Sequence, residues 1–317
     1  MDLSVVIPVY NEQESIRELS DWIEKVCSGA DLSFEIIFVD DGSSDNSWNR
    51  IRELSSRKGF IKGIRFRRNY GKAAALHTGF TESSGDIVVT MDADLQDSPD
   101  EIPELVRMIR EDGYDLVSGW KKKRFDPLIK RSTSRIYNST ARLSSGIRLH
   151  DFNCGLKAYR SEVVKSIEIY GEMHRYIPML AREAGFRKIG EKIVEHHPRK
   201  YGVTKYGLDR FMKGYLDMLT IGFITRFGKN PMHLFGSLGT LMFLIGFIMA
   251  LYLGIRKLVF VHNHMRAPLI TDSPYFYIAL AVMVIGTLLF LTGFLGELIN
   301  RNSAERNKYL IRDKVNI

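Results

Sequence analysis

The chain of 317 residues carries 45 Lys and Arg against 37 Asp and Glu, a formal net charge of +8. With 45% hydrophobic and 26% charged residues, 26 Gly and 9 Pro, it is neither disordered throughout nor a collagen-like or low-complexity chain. Cys27 and Cys154 are its only cysteines, which excludes a disulfide scaffold and favours a reducing compartment for the polar part.

The opening MDLSVVIPVY has no basic stretch and runs directly into a strand pattern, so no cleavable signal peptide is expected. Short β-branched runs predict strands over 3–9, 34–39, 61–66, 87–91 and 115–119. Helical patterns lie between them, such as 12–26 with Ile16, Leu19, Ile23 and Val26 on one face. Strands that are continuously apolar and alternate with helices imply a mostly parallel sheet covered on both faces, with ligands beyond the carboxyl ends of its strands. Each of the first four strands ends in polar sequence: Tyr10-Asn11-Glu12 after Pro8, Asp40-Asp41-Gly42-Ser43-Ser44-Asp45, Arg68-Asn69-Tyr70-Gly71-Lys72, and Asp92-Ala93-Asp94-Leu95-Gln96-Asp97. Taken singly, Asn11, Ser43 or Ser44, and Ser98 are plausible helix N-caps. Four such ends side by side, with carboxylates among them, read as one site.

Beyond residue 120 the pattern changes. Lys121 to Arg124 form a basic cluster that a solvated loop would explain. The segment 127–143 sets a few apolar residues among Lys130, Arg131, Arg135 and Arg142, and 206–227 places Leu208, Phe211, Met212, Tyr215, Leu216, Leu219 and Phe223 on one helical stripe. Basic amphipathic helices just upstream of a membrane span commonly lie in the interface, the alternative being ordinary packing against the sheet. The runs 230–255 and 273–296 contain no Asp, Glu, Lys or Arg, and each exceeds the roughly 20 residues that cross a bilayer. They read as a transmembrane hairpin. Basic residues crowd the outer flanks (Arg210, Lys213, Arg226 and Lys229 before; Arg301, Arg306, Lys308, Arg312 and Lys314 after), whereas the connection holds Arg256, Lys257 and Arg266. The positive-inside bias therefore puts the N-terminal domain and the C-terminal tail in the cytoplasm. An anionic membrane surface accounts for the basic excess, and nothing here resembles a nucleic-acid module.

Asp92-Ala93-Asp94 is a D-x-D motif after an apolar strand. In extended backbone residues i and i+2 point the same way, so Asp94 and Gln96 would turn oxygens toward one point with Asp92 alongside. Oxygen donors in small number suit Mg²⁺ or Mn²⁺, whose remaining positions go to water and substrate phosphates. His77, His150, His174, His196 and His197 lie at no familiar zinc spacing. Dinucleotide-binding glycines, a P-loop and a Gly-x-Ser-x-Gly elbow are all absent from the sequence, which argues against redox, kinase and serine-hydrolase chemistry.

The segments VVIPVYNEQESI, FVDDGSSDNS, RNYGKAAALHTGF and VVTMDADLQDSPDEIPEL resemble the family-2 glycosyltransferases of GT-A fold. DFNCGLKAYR, MHRYIPMLAREAGFR and HHPRKYGVTKYG, followed by two spans, are similar to the polyprenyl-phosphate branch, which includes dolichol-phosphate mannose synthases and bactoprenol glucosyltransferases. The resemblance implies that Pro8, Tyr10 and Glu12 form a nucleotide-base pocket and that Asp41 holds base or ribose. It places Asp92 against ribose and phosphates, Asp94 and Gln96 on the metal, and Arg199 and Lys205 on the donor and acceptor phosphates. Asp151 matches an acidic residue near the transferring sugar, while Cys154 and Lys157 depart from the usual small or Arg residues.

The expectation is thus an α/β protein: a cytoplasmic GT-A (Rossmann-like) catalytic domain over 1–205, an amphipathic interface helix over 206–229, two membrane helices within 230–299 (about 232–255 and 275–298) and a cytoplasmic tail over 300–317. The activity implied is metal-dependent, inverting transfer of a sugar from a nucleotide diphosphate sugar to a polyprenyl phosphate, at the inner face of the cell membrane. The basic segment 198–207 is expected to form a loop that closes over the diphosphate. The expected partners are donor, acceptor and bilayer, with no nucleic acid and a homo-oligomer left open. A processive polysaccharide synthase and a non-catalytic lipid-carrier subunit are the alternatives. The first usually carries a Q-x-x-R-W motif, yet Trp22, Trp48 and Trp120 lie in no such context. Against the second stand the retained Asp92, Asp94, Gln96, Arg199 and Lys205.

Overall fold

A computed structural model describes residues 1–122, 142, 146–169, 171, 173–201, 231–266 and 269–301. Lys205, nearly all of 127–143, the whole of 206–229 and the tail beyond 301 lie outside the described residues. The chain divides into two compact units, Met1–Gly222 and Phe223–Ile317.

In the first unit the predicted strands form where their apolar runs lie: β1 (Leu3–Val9), β2 (Phe34–Asp40), β3 (Ile61–Arg65), β4 (Ile87–Thr90) and β5 (Leu116–Trp120). Between them run α1 (Ile16–Gly29), α2 (Ser47–Arg57), α3 (Lys72–Glu82) and α4 (Ile102–Arg110). Then come β6 (Lys157–Arg160), α5 (Ser161–Ser166), α6 (Ile177–Glu183) and β7 (Ile189–Ile193). The sheet order is β3-β2-β1-β4-β6-β5-β7, and β6 runs antiparallel to both neighbours. The sheet is mostly parallel, as the apolar runs predict. β6 and β7 escape that reading because they are short and half polar.

Alternation along β1 assigns its two faces. Val5, Ile7 and Val9 pack with Ile16, Leu19 and Ile23 of α1, while Val6 packs on the other face with Ala75, Leu76 and Phe80 of α3. Each such side chain removed from water contributes about 1.5–3 kcal/mol. Helix α1 begins four residues later than its apolar pattern because 10–15 is taken up by the turn leaving β1.

One buried carboxylate fastens the amino-terminal edge of this sheet. Glu35 accepts hydrogen bonds from Ser4 Oγ (2.6 Å) and from the N–H and hydroxyl of Ser84 (both 2.8 Å), and Lys62 Nζ lies 2.6 Å away. Burial opposes its charge, but Lys62, Ser4 and Ser84 outweigh burial and hold the carboxyl at about 2. A depressed folded-state pKa contributes stability that is present above the unfolded value and lost as pH falls from about 4.5 toward 2, here on the order of 3 kcal/mol. Glu35→Gln should therefore flatten the acid limb of the unfolding midpoint. Tryptophan fluorescence reads this unit alone, because Trp22, Trp48 and Trp120 all lie in it.

The second unit holds α7 (Pro231–His262) and α8 (Pro274–Arg301), both long and apolar enough to span a bilayer. In lipid, helices gain little from hiding apolar surface and associate through close backbone approach at small residues. That is the geometry here. A Cβ on Gly239 would lie 2.6 Å from Gly286 O, one on Gly246 2.6 Å from Ala279 O, and one on Gly286 2.6 Å from Phe243 N. Leu241, Leu258 and Leu288 point away, more than half exposed, as lipid-facing side chains do. Gly246→Leu should lower the SDS concentration that unfolds the helices. Gly254→Leu should not, since a Cβ there meets nothing within 4 Å.

Candidate active site

Three loops close one end of the sheet by exchanging backbone hydrogen bonds for side-chain ones. Asn11, left-handed at φ 53°, donates its N–H to Ser43 Oγ (2.9 Å) and accepts at Oδ1 from Ser44 N–H (2.8 Å). Glu12 N–H reaches Ser47 Oγ at 3.0 Å. Asn11, Ser43 and Ser44 thus cap no helix; they tie the loop after β1 to the loop after β2. Ser98 does stand before a short helical turn at Pro99–Glu101, yet its hydroxyl goes to Asp100 (3.1 Å). Asp41 accepts from Tyr70 N–H (2.7 Å) and Gly71 N–H (3.0 Å), which fixes the loop after β3. Burial raises the Asp41 pKa, with Asp40 adding to the rise, against those two donors. Gly42 (φ 72°) is packed so closely that a Cβ would lie 2.5 Å from Arg68 C. Pro8 lies in β1 beside this arrangement, and Tyr10 is exposed.

The D-x-D segment is not extended. Leu95 sits in the left-handed region at φ 60°, a strained setting for a bulky residue, and the chain turns there. Gln96 N–H folds back onto Asp94 Oδ1 at 3.2 Å. The turn, rather than strand alternation, sets the relation of Asp94 to Gln96. Next to it, Asp97 pairs in an antiparallel bridge with His196, and His197 N–H donates to Gln96 O at 2.9 Å. This docking delivers Arg199: its guanidinium lies 2.5 Å from Glu12 Oε1 and 3.9 Å from Asp94 Oδ2. Four predicted residues (Glu12, Asp94, Gln96 and Arg199) are thereby brought together from three stretches of chain.

The carboxylates here are held in opposite ways. Burial, then the charges of Asp92 and Asp97, push Asp94 up to about 6, against Gln96 N–H and Arg199. Burial also opposes ionisation of Asp92, but Lys72, Lys121 and Lys157 hold it at about 2, and Lys72 Nζ pairs directly with Asp92 Oδ1. Fully buried Asp97 pairs with Lys121 at 2.6 Å. Lys121 is therefore a counter-ion of the site, not part of a solvated loop. A carboxylate whose ionised form is disfavoured by burial and by neighbouring negative charge is relieved by a cation. Asp94 and the Gln96 amide oxygen fit a divalent ion in chemistry and number. Oxygen donors of this kind suit Mg²⁺ or Mn²⁺, whose remaining positions go to substrate phosphates and water.

Asp151 is buried on the far side of the sheet order. Its N–H donates to Glu191 Oε1 (3.0 Å), its Oδ1 accepts from Asn153 N–H (3.1 Å), and its carbonyl accepts from Ser118 Oγ (3.3 Å). His150 stacks on Trp120 at 4.1 Å and meets Glu191 Oε2 at 2.7 Å. Lys157 lies between the two groups, close enough for both Asp151 and Asp92 to act on its charge.

The family model for glycosyl transferase family 2 matches residues 4–168. A dodecaprenyl-phosphate galacturonate synthase of Rhizobium johnstonii is 34% identical over 304 residues, 95% of this chain and 88% of its own. The chain belongs to glycosyl transferase family 2. Other members similar to it are the undecaprenyl-phosphate 4-deoxy-4-formamido-L-arabinose transferases of Proteus mirabilis (34% over 319 residues, 99% of this chain and 94% of that protein) and Pseudomonas paraeruginosa (37% over 301 residues, 94% and 85%). Among solved structures, glucosyl-3-phosphoglycerate synthase of Mycobacterium tuberculosis shares the GT-A fold. Its UDP complex has a TM-score of 0.54 at 21% identity, covering 71% of this chain and 79% of that one, and its complex with Mn²⁺ and UDP-glucose has 0.54 at 22%, covering 71% and 78%.

Sequence reasoning on this family 2 transferase gives no individual role to Lys72, Lys121, Asp97, Glu191 or Gly155. The last leaves a signal in DFNCGLKAYR, a glycine just ahead of β6. A Cβ on Gly155 would lie 2.6 Å from Asp92 Oδ2 and 2.9 Å from Asp97 Oδ2. Gly155→Ala should push Asp92 off Lys72 and lower kcat/KM at least 100-fold with little change in unfolding midpoint; steady-state kinetics beside a thermal melt checks both.

Proposed function

We propose that the protein transfers a sugar from a nucleotide diphosphate sugar to a membrane polyprenyl phosphate, with inversion at the anomeric carbon. The observation that carries this reading is the convergence of Asp92, Asp94, Gln96 and Arg199 at the carboxyl end of the sheet, in a chain that also holds a membrane hairpin. Relatives named for polyprenyl-phosphate acceptors match it along nearly its whole length, hairpin included, and support the acceptor class. The positive-inside bias supports a cytoplasmic catalytic unit and tail.

In this reading Pro8, Tyr10 and Asp41 receive the nucleoside, with Glu12 beside them holding Arg199. An acceptor phosphate oxygen attacks the anomeric carbon, the bond from that carbon to the diphosphate oxygen breaks, and a nucleoside diphosphate leaves. The acceptor monoester has a second pKa of about 6, so it attacks already ionised and asks for no general base. The task left to the protein is positioning and control of charge. Arg199 offsets repulsion between the two phosphate groups, with Lys205 sharing that role, and Asp151 orients the sugar or acceptor. Asp94 and Gln96 would hold Mg²⁺ or Mn²⁺, which when bound neutralises charge on the departing diphosphate.

Purified protein given a panel of nucleotide sugars, polyprenyl phosphate and either metal should yield a polyprenyl-phosphate sugar identified by mass. Asp94→Ala should lower kcat/KM about 1,000-fold or more and raise the metal concentration for half-activity. Wild-type turnover by that variant at limiting metal would overturn the metal assignment, and a panel without any lipid product would overturn the acceptor class.

A further inference from the structure

Behind Asp92 lies a narrow cleft, lined by Lys72, Thr90, Asn153, Gly155, Lys157, Tyr159, His174 and Arg175 over a floor of Leu76 and Ile177. Three of these side chains are lysine or arginine, a fourth is histidine, and among the described residues no Asp or Glu lines the space. The Lys72 charge is matched by Asp92. Lys157 is different. It is 97% buried in the sense that 3% of its surface is exposed, its ammonium donates to Cys154 O, and no described carboxylate comes within 4.0 Å of it. Burial lowers its pKa. An ammonium in such a place, held by a backbone carbonyl and by the more distant charges of Asp151 and Asp92, carries a desolvation penalty of several kcal/mol that a bound anion would relieve.

We propose that this cleft is a subsite for a compact anion and that the anion is a carboxylate on the transferred sugar, so that the donor is a nucleotide-linked uronic acid. The proposal rests on the preceding reading of the reaction and names its sugar class. Two features favour a carboxylate over a phosphate. As it stands the cleft has room for about one water molecule, so it admits an oxygen edge of a planar carboxylate more readily than a tetrahedral phosphate with four oxygens. Its wall residue Gly155 also lies against Asp92, and its other walls come from α3, β4, β6 and the turn at Met173–Arg175. A sugar whose diphosphate lies at Asp94 and Gln96, next to Asp92, would place a substituent near Gly155 and the cleft that Lys157, His174 and Arg175 line.

The test compares nucleotide-linked hexuronic acids with the matching neutral hexoses, in uridine and guanosine series, on the purified full-length protein. Donor binding is read by calorimetry and transfer by mass of the lipid product. Uronic acid donors should bind at least 10-fold tighter and be transferred with at least 100-fold higher kcat/KM. Lys157→Met should collapse that ratio by at least 10-fold, and Lys157→Arg, which keeps the charge, should retain most of it. Transfer of neutral hexoses at equal or higher efficiency would overturn the subsite while leaving the glycosyl transfer reading intact. Tight uronate binding without any polyprenyl product would uphold the subsite and remove the acceptor. A rise in acceptor KM in Lys157→Met, with sugar preference unchanged, would assign the cleft to the acceptor phosphate and overturn the uronate assignment.

Discussion

Everything at the head of this sheet depends on how three aspartates, Asp92, Asp94 and Asp97, coexist within six residues of chain in a largely water-poor place. Buried charges persist only when paired, and like charges at close range exclude one another. The fold answers with cations drawn from distant sequence: Lys72 from the start of α3 to Asp92, Lys121 from the end of β5 to Asp97, and Arg199 from beyond β7 toward Asp94. The pairing is uneven. Asp94, with the most distant counter-ion, is the least compensated of the three, and that imbalance supports the metal position proposed above.

The antiparallel strand β6 serves the same constraint. By entering between β4 and β5 it brings Gly155 and Lys157 next to Asp92, which a wholly parallel arrangement in chain order would not do. Because Gly155 has no side chain, the carboxylates can stand against its backbone. The residue that follows two positions later supplies the buried ammonium of the neighbouring cleft.

Much of this was legible in the sequence and some was not, for physical reasons. Continuous apolar runs such as Val5 to Val9 and Ile36 to Val39 are stretches that a two-sided sheet requires, so five strands and the position of the site beyond their ends could be read directly. β6 and β7 are four and five residues long, with Lys157, Arg160, Glu191 and Lys192 among them, and carry no such signature. Asn11, Ser43 and Ser44 have the chemistry of helix caps but bond across loops, because side-chain oxygens serve any nearby N–H and the sequence does not say which is near. The turn at Leu95 was illegible because a leucine with positive φ follows no local preference; tertiary packing imposes it. Lys121 reads as surface until Asp97, 24 positions away in sequence and fully buried, is placed beside it. The candidate site residues, Asp94, Gln96 and Arg199 among them, stand in motifs that the sequence displays, while Lys205 falls outside the described residues.

The contact between Arg199 and Glu12 joins residues 187 positions apart. A ribosome adding roughly 5–20 residues per second needs on the order of 10–40 s to make that stretch. Within that interval the first four strands are completed and can pair, but the mouth of the sheet lacks its last cation. Long-range closure of this kind is slow because the loop entropy is spent before the contact rewards it. Completion of the site therefore waits for the His196–Tyr201 segment to emerge, about thirty residues before the first membrane helix begins at Pro231. Chain growth itself thus sets the order of events: the carboxylates are assembled first, their guanidinium arrives next, and only then does the segment bound for the bilayer leave the tunnel.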